Sequence, residues 1–172
     1  MAQTAIAPPQ AGDRAPDFTL KDTEMKPVHL SDFHGKTVIV AFFPAAFSGV
    51  CTRELCTFRD HVADLNRLNV QVLGISVDLP YSLRQFKQSQ KLAFPLLSDF
   101  DREAINAYGI VDRNFNGYTS GVAQRSVFVV NGEGRISWAW VSAHQGQQPD
   151  YGEVLEHLGL QETLPADHPA NM

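Results

Sequence analysis

Apolar and polar residues follow three rhythms along the chain. Phe18-Thr19-Leu20 and Val28-His29-Leu30 alternate around the polar stretch Lys21 to Lys26, which predicts an entry hairpin within residues 12–34. Thr37 to Phe43 (TVIVAFF) and Val70 to Val77 (VQVLGISV) are almost wholly apolar, the pattern of strands buried on both faces and central in a sheet. Between them Cys51, Leu55, Phe58, Val62, Leu65 and Leu68 recur every three or four residues and trace one face of a helix. Arg53, Glu54, Arg59, Asp60 and Asp64 fall between those positions and are expected to face water. Strand, helix and strand at this length form a βαβ unit with parallel strands.

The pattern continues with a helix over Ser82 to Lys91, a short strand over Phe94 to Leu97 and a helix over Arg102 to Tyr108. Ser126 to Val130 and Ile136 to Val141 read as strands joined by Asn131-Gly132-Glu133-Gly134, a hairpin signal. Tyr151 to Leu160 is expected to close the fold as a helix. The sum is an α/β sandwich, a mixed central sheet with helices on both faces. No repeat, low-complexity block or linker divides the 172 residues, so one domain is expected, with its core at about 12–160. Residues 1–10, with a Pro-Pro pair, and 165–172 are expected to be loose tails.

Composition narrows the partners. The net charge is −5, and fourteen basic residues are scattered among nineteen acidic ones, which argues against nucleic acid. The longest apolar run, Val38 to Phe47, is roughly ten residues and holds Pro44, whereas a bilayer span needs about twenty. No membrane association is expected. The opening MAQTAIAPPQ has neither the positive charge nor the apolar stretch of a secretory signal, so the expected location is cytoplasmic. There thiols stay reduced, and the two cysteines are read as reactive or buried rather than as a staple.

Candidate chemistry gathers in Pro44-Ala45-Ala46-Phe47-Ser48-Gly49-Val50-Cys51-Thr52-Arg53-Glu54-Leu55-Cys56. A buried strand ends, Pro44 breaks it, and a turn with Gly49 leads into the helix. Cys51 is thereby expected at the carboxyl edge of the sheet, where reactive groups of open α/β sheets collect, and in the first turn of a helix. The unpaired amides and partial positive charge of that turn favour a thiolate. Lowering a thiol by ~2 pH units takes ~2.7 kcal/mol. The helix end supplies about 1 kcal/mol, so a cation has to supply the rest, and arginine, which never deprotonates, is the best suited.

Pro44-x-x-x-Ser48-x-x-Cys51 resembles the active-site signature of the peroxiredoxins, Pro-x-x-x-(Thr/Ser)-x-x-Cys. The run Cys51-Thr52-Arg53-Glu54-Leu55-Cys56-Thr57-Phe58-Arg59-Asp60 is similar to the bacterioferritin comigratory protein or PrxQ group, in which a second cysteine often lies five residues after the first. The resemblance covers roughly residues 12–160 and implies a thioredoxin-like fold. It also implies a thiol-dependent peroxidase that reduces hydrogen peroxide and organic hydroperoxides, without a cofactor or metal. Cys51 would be the peroxidatic cysteine, passing through a sulfenic acid. Ser48 would offer its hydroxyl to the peroxide, Pro44 would shield the thiolate, and Arg125, opening Arg125-Ser126-Val127-Phe128, would stabilise thiolate and leaving oxygen. Glu54 matches an acidic position that holds active-site arginines. Cys56 would be the resolving cysteine, forming a Cys51–Cys56 disulfide reduced by thioredoxin or a similar thiol. The protein would act as a monomer or homodimer.

Two departures leave alternatives open. Ser48 stands where threonine is usual, and loses the methyl that fixes the rotamer. The segment Asp112 to Gln124 is longer than in the most compact PrxQ proteins and looks more like the one-cysteine AhpE group. A one-cysteine enzyme with Cys56 non-catalytic, or a peroxide-sensing switch, remains a competing reading. On an intact helix the two thiols lie ~140° apart with Cα atoms beyond the ~7 Å disulfide limit, so bridging them requires unwinding. A metal site on Cys51, Cys56 and His61 is disfavoured, because their spacing spreads them around the helix. His34, His144 and His157 read as surface residues. Trp138 and Trp140 share one strand face suited to packing or a subunit contact, and Asp78-Leu79-Pro80 reads as a loop at the pocket edge.

Overall fold

A computed structural model of the protein describes residues 5–160. The entry hairpin forms as β1 (Thr19–Asp22) and β2 (Pro27–His29), paired antiparallel. The two apolar runs form β3 (Thr37–Phe42) and β4 (Val70–Ser76), which pair in parallel as the βαβ reading requires. The remaining strands of the main sheet are β5 (Leu96–Ser98), β8 (Ser126–Val130) and β9 (Ile136–Val141). Their order is β2-β1-β5-β4-β3-β8-β9, with β8 antiparallel to both β3 and β9. Two short strands, β6 (Val111–Asp112) and β7 (Val122–Ala123), form a separate hairpin.

Because strand side chains alternate, β3 serves two cores at once. Val38, Val40 and Phe42 face one core with Phe128, Leu73, Ile75, Ile105 and Tyr108. There the rings of Phe42 and Tyr108 are 5.0 Å apart, and those of Tyr108 and Phe128 are 5.2 Å apart. Ile39, Ala41 and Phe43 face the other core with Cys51, Leu55, Phe58, Leu65, Leu83, Phe86 and Leu155. The helices α1 (Gly49–Asp60), α2 (Val62–Arg67), α3 (Pro80–Ser89) and α5 (Tyr151–His157) contribute to this second core, and α4 (Glu103–Ala107) contributes to the first.

The single helix expected from Cys51 to Leu68 is two. At His61 the backbone leaves helical geometry (φ −102°, ψ 2°), and its amide bonds to the Arg59 and Phe58 carbonyls. Leu68, expected on the buried stripe, is 44 % exposed as the cap of α2. The expected arm at residues 5–10 has no regular structure, yet it is not wholly detached. The Ile6 backbone lies so close to Gly109, at φ 65°, that any Cβ there would collide with it. The expected tail at 165–172 lies outside the described residues.

Candidate active site

Strand pairing brings the site together. β3, β4 and β5 are parallel, so their carboxyl ends share one edge, and the loop after β3 leaves from that edge. β8 runs the other way with Phe42 opposite Ser126, so its first residues arrive at the same edge. Arg125, one residue before β8, therefore meets the start of α1 although 74 positions separate it from Cys51. Its backbone carbonyl is fixed by the Ser142 amide at 2.9 Å.

Cys51 occupies the third position of α1 and is fully buried. Ser48 caps the helix with its carbonyl, which accepts from the Thr52 amide at 2.9 Å and the Thr52 hydroxyl at 2.8 Å. The Ser48 hydroxyl itself makes no bond to the helix amides, which leaves it available. Pro44 is buried at the end of β3. Phe47, between them, sits in the left-handed region at φ 68° and lays its half-exposed ring 5.0 Å from that of Phe86. A non-glycine residue there costs of order 1–3 kcal/mol, which its packing and the loop's other bonds offset.

Arg125 is 3 % exposed, and its two terminal nitrogens divide their work. Nη2 donates to Cys51 Sγ at 3.2 Å, and Nη1 donates to Glu54 Oε2 at 2.6 Å. Burial pulls the guanidinium down, but the charges of Glu54 and Cys51 outweigh it and raise it, so it stays protonated. Glu54 is a correction to the sequence reading. It was expected to face water and is fully buried, because Arg125 replaces the solvent its carboxylate would otherwise require. Burial raises its pKa from 4.5 to about 7, against the pull of Arg125. The other oxygen, Oε1, and Arg125 Nε have no hydrogen-bond partner among the described residues.

Two further groups frame the site. Asp78 Oδ2 accepts from the Ala46 amide at 2.8 Å and the Ser76 hydroxyl at 2.6 Å, tying the loop to the end of β4. Its own carbonyl accepts from Ser98 Oγ at 2.6 Å, which adds β5 to the anchor. The sequence reading placed Asp78 at this edge without a role. Tyr151, absent from that reading as a site residue, opens α5 and meets Phe58 edge-on at 5.6 Å. Burial first, then the nearby Glu54 carboxylate, holds its phenol well above the ordinary range, so it is a neutral hydroxyl.

Cys56 lies elsewhere in character. It is half-buried, and its Sγ reaches Gln90 Oε1 at 3.6 Å, while Arg59 Nη1 donates to the Gln90 carbonyl at 2.8 Å. Burial raises its pKa, Arg59 pulls it down and Asp60 pushes it up, with a net rise. Both cysteines are free thiols on one unbroken twelve-residue helix.

A buried thiol bonded to a buried guanidinium, at a strand-to-helix turn on this sheet, is the arrangement of a thiol-dependent peroxidase. Comparison with known proteins agrees: the sequence model of the AhpC/TSA family matches residues 11–139, and the chain belongs to that family, the peroxiredoxins. Within it the chain is similar to peroxiredoxin Bcp of Escherichia coli K12, 38 % identical over 130 residues, which cover 75 % of this chain and 83 % of that one. A Mycobacterium tuberculosis chain provisionally named peroxiredoxin Rv2521 is 44 % identical over 126 residues, covering 73 % and 80 %. Among solved structures, peroxidoxin BcpB of M. tuberculosis superposes with a TM-score of 0.75 at 26 % identity, covering 88 % of this chain and 95 % of the other. The fold is thus the thioredoxin-like fold of these enzymes, in the bacterioferritin comigratory protein group. No helix among the described residues is long and apolar enough to cross a membrane.

Proposed function

We propose that the protein reduces hydrogen peroxide and organic hydroperoxides with Cys51 as the peroxidatic cysteine and Cys56 as the resolving one. The observation that carries the reading is the 3.2 Å bond from Arg125 Nη2 to Cys51 Sγ at a helix N-terminus. The guanidinium sets a fixed positive charge, one that needs no titration of its own, directly beside the sulfur that reacts.

The Cys51 thiolate attacks one peroxide oxygen as the O–O bond breaks. Sulfur is oxidised by two electrons, and the second oxygen leaves with the peroxide's proton as water or an alcohol. Arg125 faces the charge that develops on that oxygen, and the unpaired Ser48 hydroxyl can donate to the peroxide. Pro44 keeps bulk water from the thiolate. The Cys56 thiol then condenses with the protonated sulfenate, giving the Cys51–Cys56 disulfide and one water. A dithiol of the thioredoxin class reduces that disulfide and becomes oxidised itself. The first turns of α1 unwind for the second step, and the Cys56 sulfur gives up its 3.6 Å contact to Gln90 Oε1.

The test uses two variants. Cys51→Ser is expected to abolish peroxide consumption, and retained activity would reject the mechanism. Cys56→Ser is expected to undergo the first oxidation but lose turnover with thioredoxin. Peptide mass mapping after one equivalent of peroxide is expected to show a 51–56 bridge in the wild type; a lasting Cys51 sulfenate instead would support a one-cysteine cycle.

A further inference from the structure

Arg125 stands one residue outside the sheet that delivers it. The last partners of β8 are Phe42 on one side and Val141 on the other, both opposite Ser126, so both ladders end before the arginine. On the β3 side the Phe43 amide is spent on the Ile75 carbonyl at 2.9 Å, and Pro44 has no amide to donate. Chain just beyond the last pair of a ladder is the first part of a sheet to open. Yet from there the guanidinium has to reach Cys51 Sγ at 3.2 Å and Glu54 Oε2 at 2.6 Å together.

Gln124 supplies the missing rung with its side chain. Its Nε2 donates to the Ser142 carbonyl at 2.7 Å, while the Ser142 amide donates to the Arg125 carbonyl at 2.9 Å. Both polar groups of the Ser142 backbone are thus tied to residues 124 and 125. The Gln124 amide donates to the Ile110 carbonyl at 2.7 Å, and the Gln124 carbonyl accepts from Ser126 Oγ at 3.1 Å. Amide, carbonyl and side chain of one half-buried residue therefore all hold the chain immediately before the arginine. Gln145, on the same loop after β9, makes a comparison. Its Nε2 donates to the Asn114 carbonyl at 2.9 Å and to Asp112 Oδ2 at 3.3 Å, which fastens the loop without engaging residues 124 or 125.

We propose that Gln124 is a positioning residue for the oxidation of Cys51, acting through Arg125. Its side-chain amide carries the β8–β9 ladder past the last backbone pair and fixes the point from which the guanidinium is aimed. The inference rests on the peroxidase reading and adds to it a residue that works on geometry alone.

Gln124→Met keeps the length of the side chain and removes its donor. Stopped-flow measurement with hydrogen peroxide is expected to show Cys51 oxidised about tenfold more slowly, the effect of an unpaired carbonyl and a displaced cation. Gln124→Ala is expected to behave alike, so the result does not hang on one variant. Gln145→Met loses comparable bonds to the same loop and is expected to stay within about twofold of the wild type. The deciding measurement repeats Gln124→Met in an Arg125→Lys background, where the forked aim is already lost. There it is expected to slow oxidation by less than about twofold, because two changes that act through one group do not add. Tenfold losses in both backgrounds, or equal losses from Gln124→Met and Gln145→Met, would mean a general loosening and overturn the proposal. Unchanged rates in both Gln124 variants would do the same. A wild type that consumes no hydrogen peroxide would instead strike down the peroxidase reading on which the proposal rests.

Discussion

Cys51 and Cys56 share a helix and a residue type, yet their surroundings differ in kind. Cys51 is sealed from solvent with a guanidinium at 3.2 Å. Cys56 is half-buried beside a neutral amide, and its thiol is held above the ordinary range chiefly by burial. The helix contributes only position. What separates the two sulfurs arrives from β8 for one and from the end of α3 for the other. On the proposed cycle, one amino acid would thereby supply both the nucleophile and the thiol that meets its sulfenate.

The largest break in that contrast comes from removing its cation. Arg125→Ala is expected to lower the rate of Cys51 oxidation by about 10²–10³, the range for losing a donor aimed at developing charge. Arg125→Lys keeps a charge but not the fork that serves Glu54 and Cys51 together, so an intermediate rate is expected. Stopped-flow measurement with hydrogen peroxide decides it, and a rate within threefold of wild type in the alanine variant would sink the assignment. Leaving Glu54 buried without its partner costs up to about 3–5 kcal/mol, less in acid, where the carboxyl takes up a proton instead.

Glu54 gives the next effect. At pH well below 4.5 its carboxyl is protonated in folded and unfolded chains alike, and burial carries no ionic penalty. Between 4.5 and about 7 only the unfolded chain ionises it, so stability falls as pH rises. Above about 7 the loss is complete, of order 3 kcal/mol from the size of the shift. Glu54→Gln removes this slope. Urea unfolding at pH 5 and pH 8 is expected to show the variant gaining on the wild type at the higher pH; an equal difference at both would contradict the buried-acid description.

How much of this could be read beforehand follows from where each interaction begins. β3, β4 and the start of α1 are local patterns, and the Pro44-x-x-x-Ser48-x-x-Cys51 spacing lies inside them, so the fold and the sulfur were legible together. Arg125 was reached through the family resemblance, and strand register explains its place. The helical pattern alone misplaced Glu54, because it sorts residues by water against core and has no third category for a charge met by another strand, whereas the family resemblance had given it the arginine-holding position it occupies. Its i,i+3 relation to Cys51 was the available signal. The β6–β7 hairpin was missed although Asn116-Gly117 is a strong turn dipeptide, because its strands are two residues long and carry no periodicity.

The smallest expected effect concerns the loop alone, and so bears most narrowly on the contrast between the cysteines. Asp78 touches neither sulfur; it holds Ala46, five residues before Cys51, and through Ser76 and Ser98 it borrows the rigidity of two strands. Asp78→Ala is expected to slow Cys51 oxidation about tenfold, the cost of losing roughly one charge-assisted bond in the geometry of the turn. Both bonds enter a single oxygen, Oδ2, and an amide oxygen accepts both in the same geometry, though more weakly, so Asp78→Asn is expected to recover most of the rate. Maleimide labelling of Cys56 should be the same in all three proteins, since the Gln90 contact lies on another part of the helix. If the asparagine variant were as slow as alanine, the carboxylate's charge rather than its grip on the loop would be the active quantity. If Cys56 labelling moved with the rate, the two environments would not be independent, because a disturbance of the first turn would already be reaching the second cysteine.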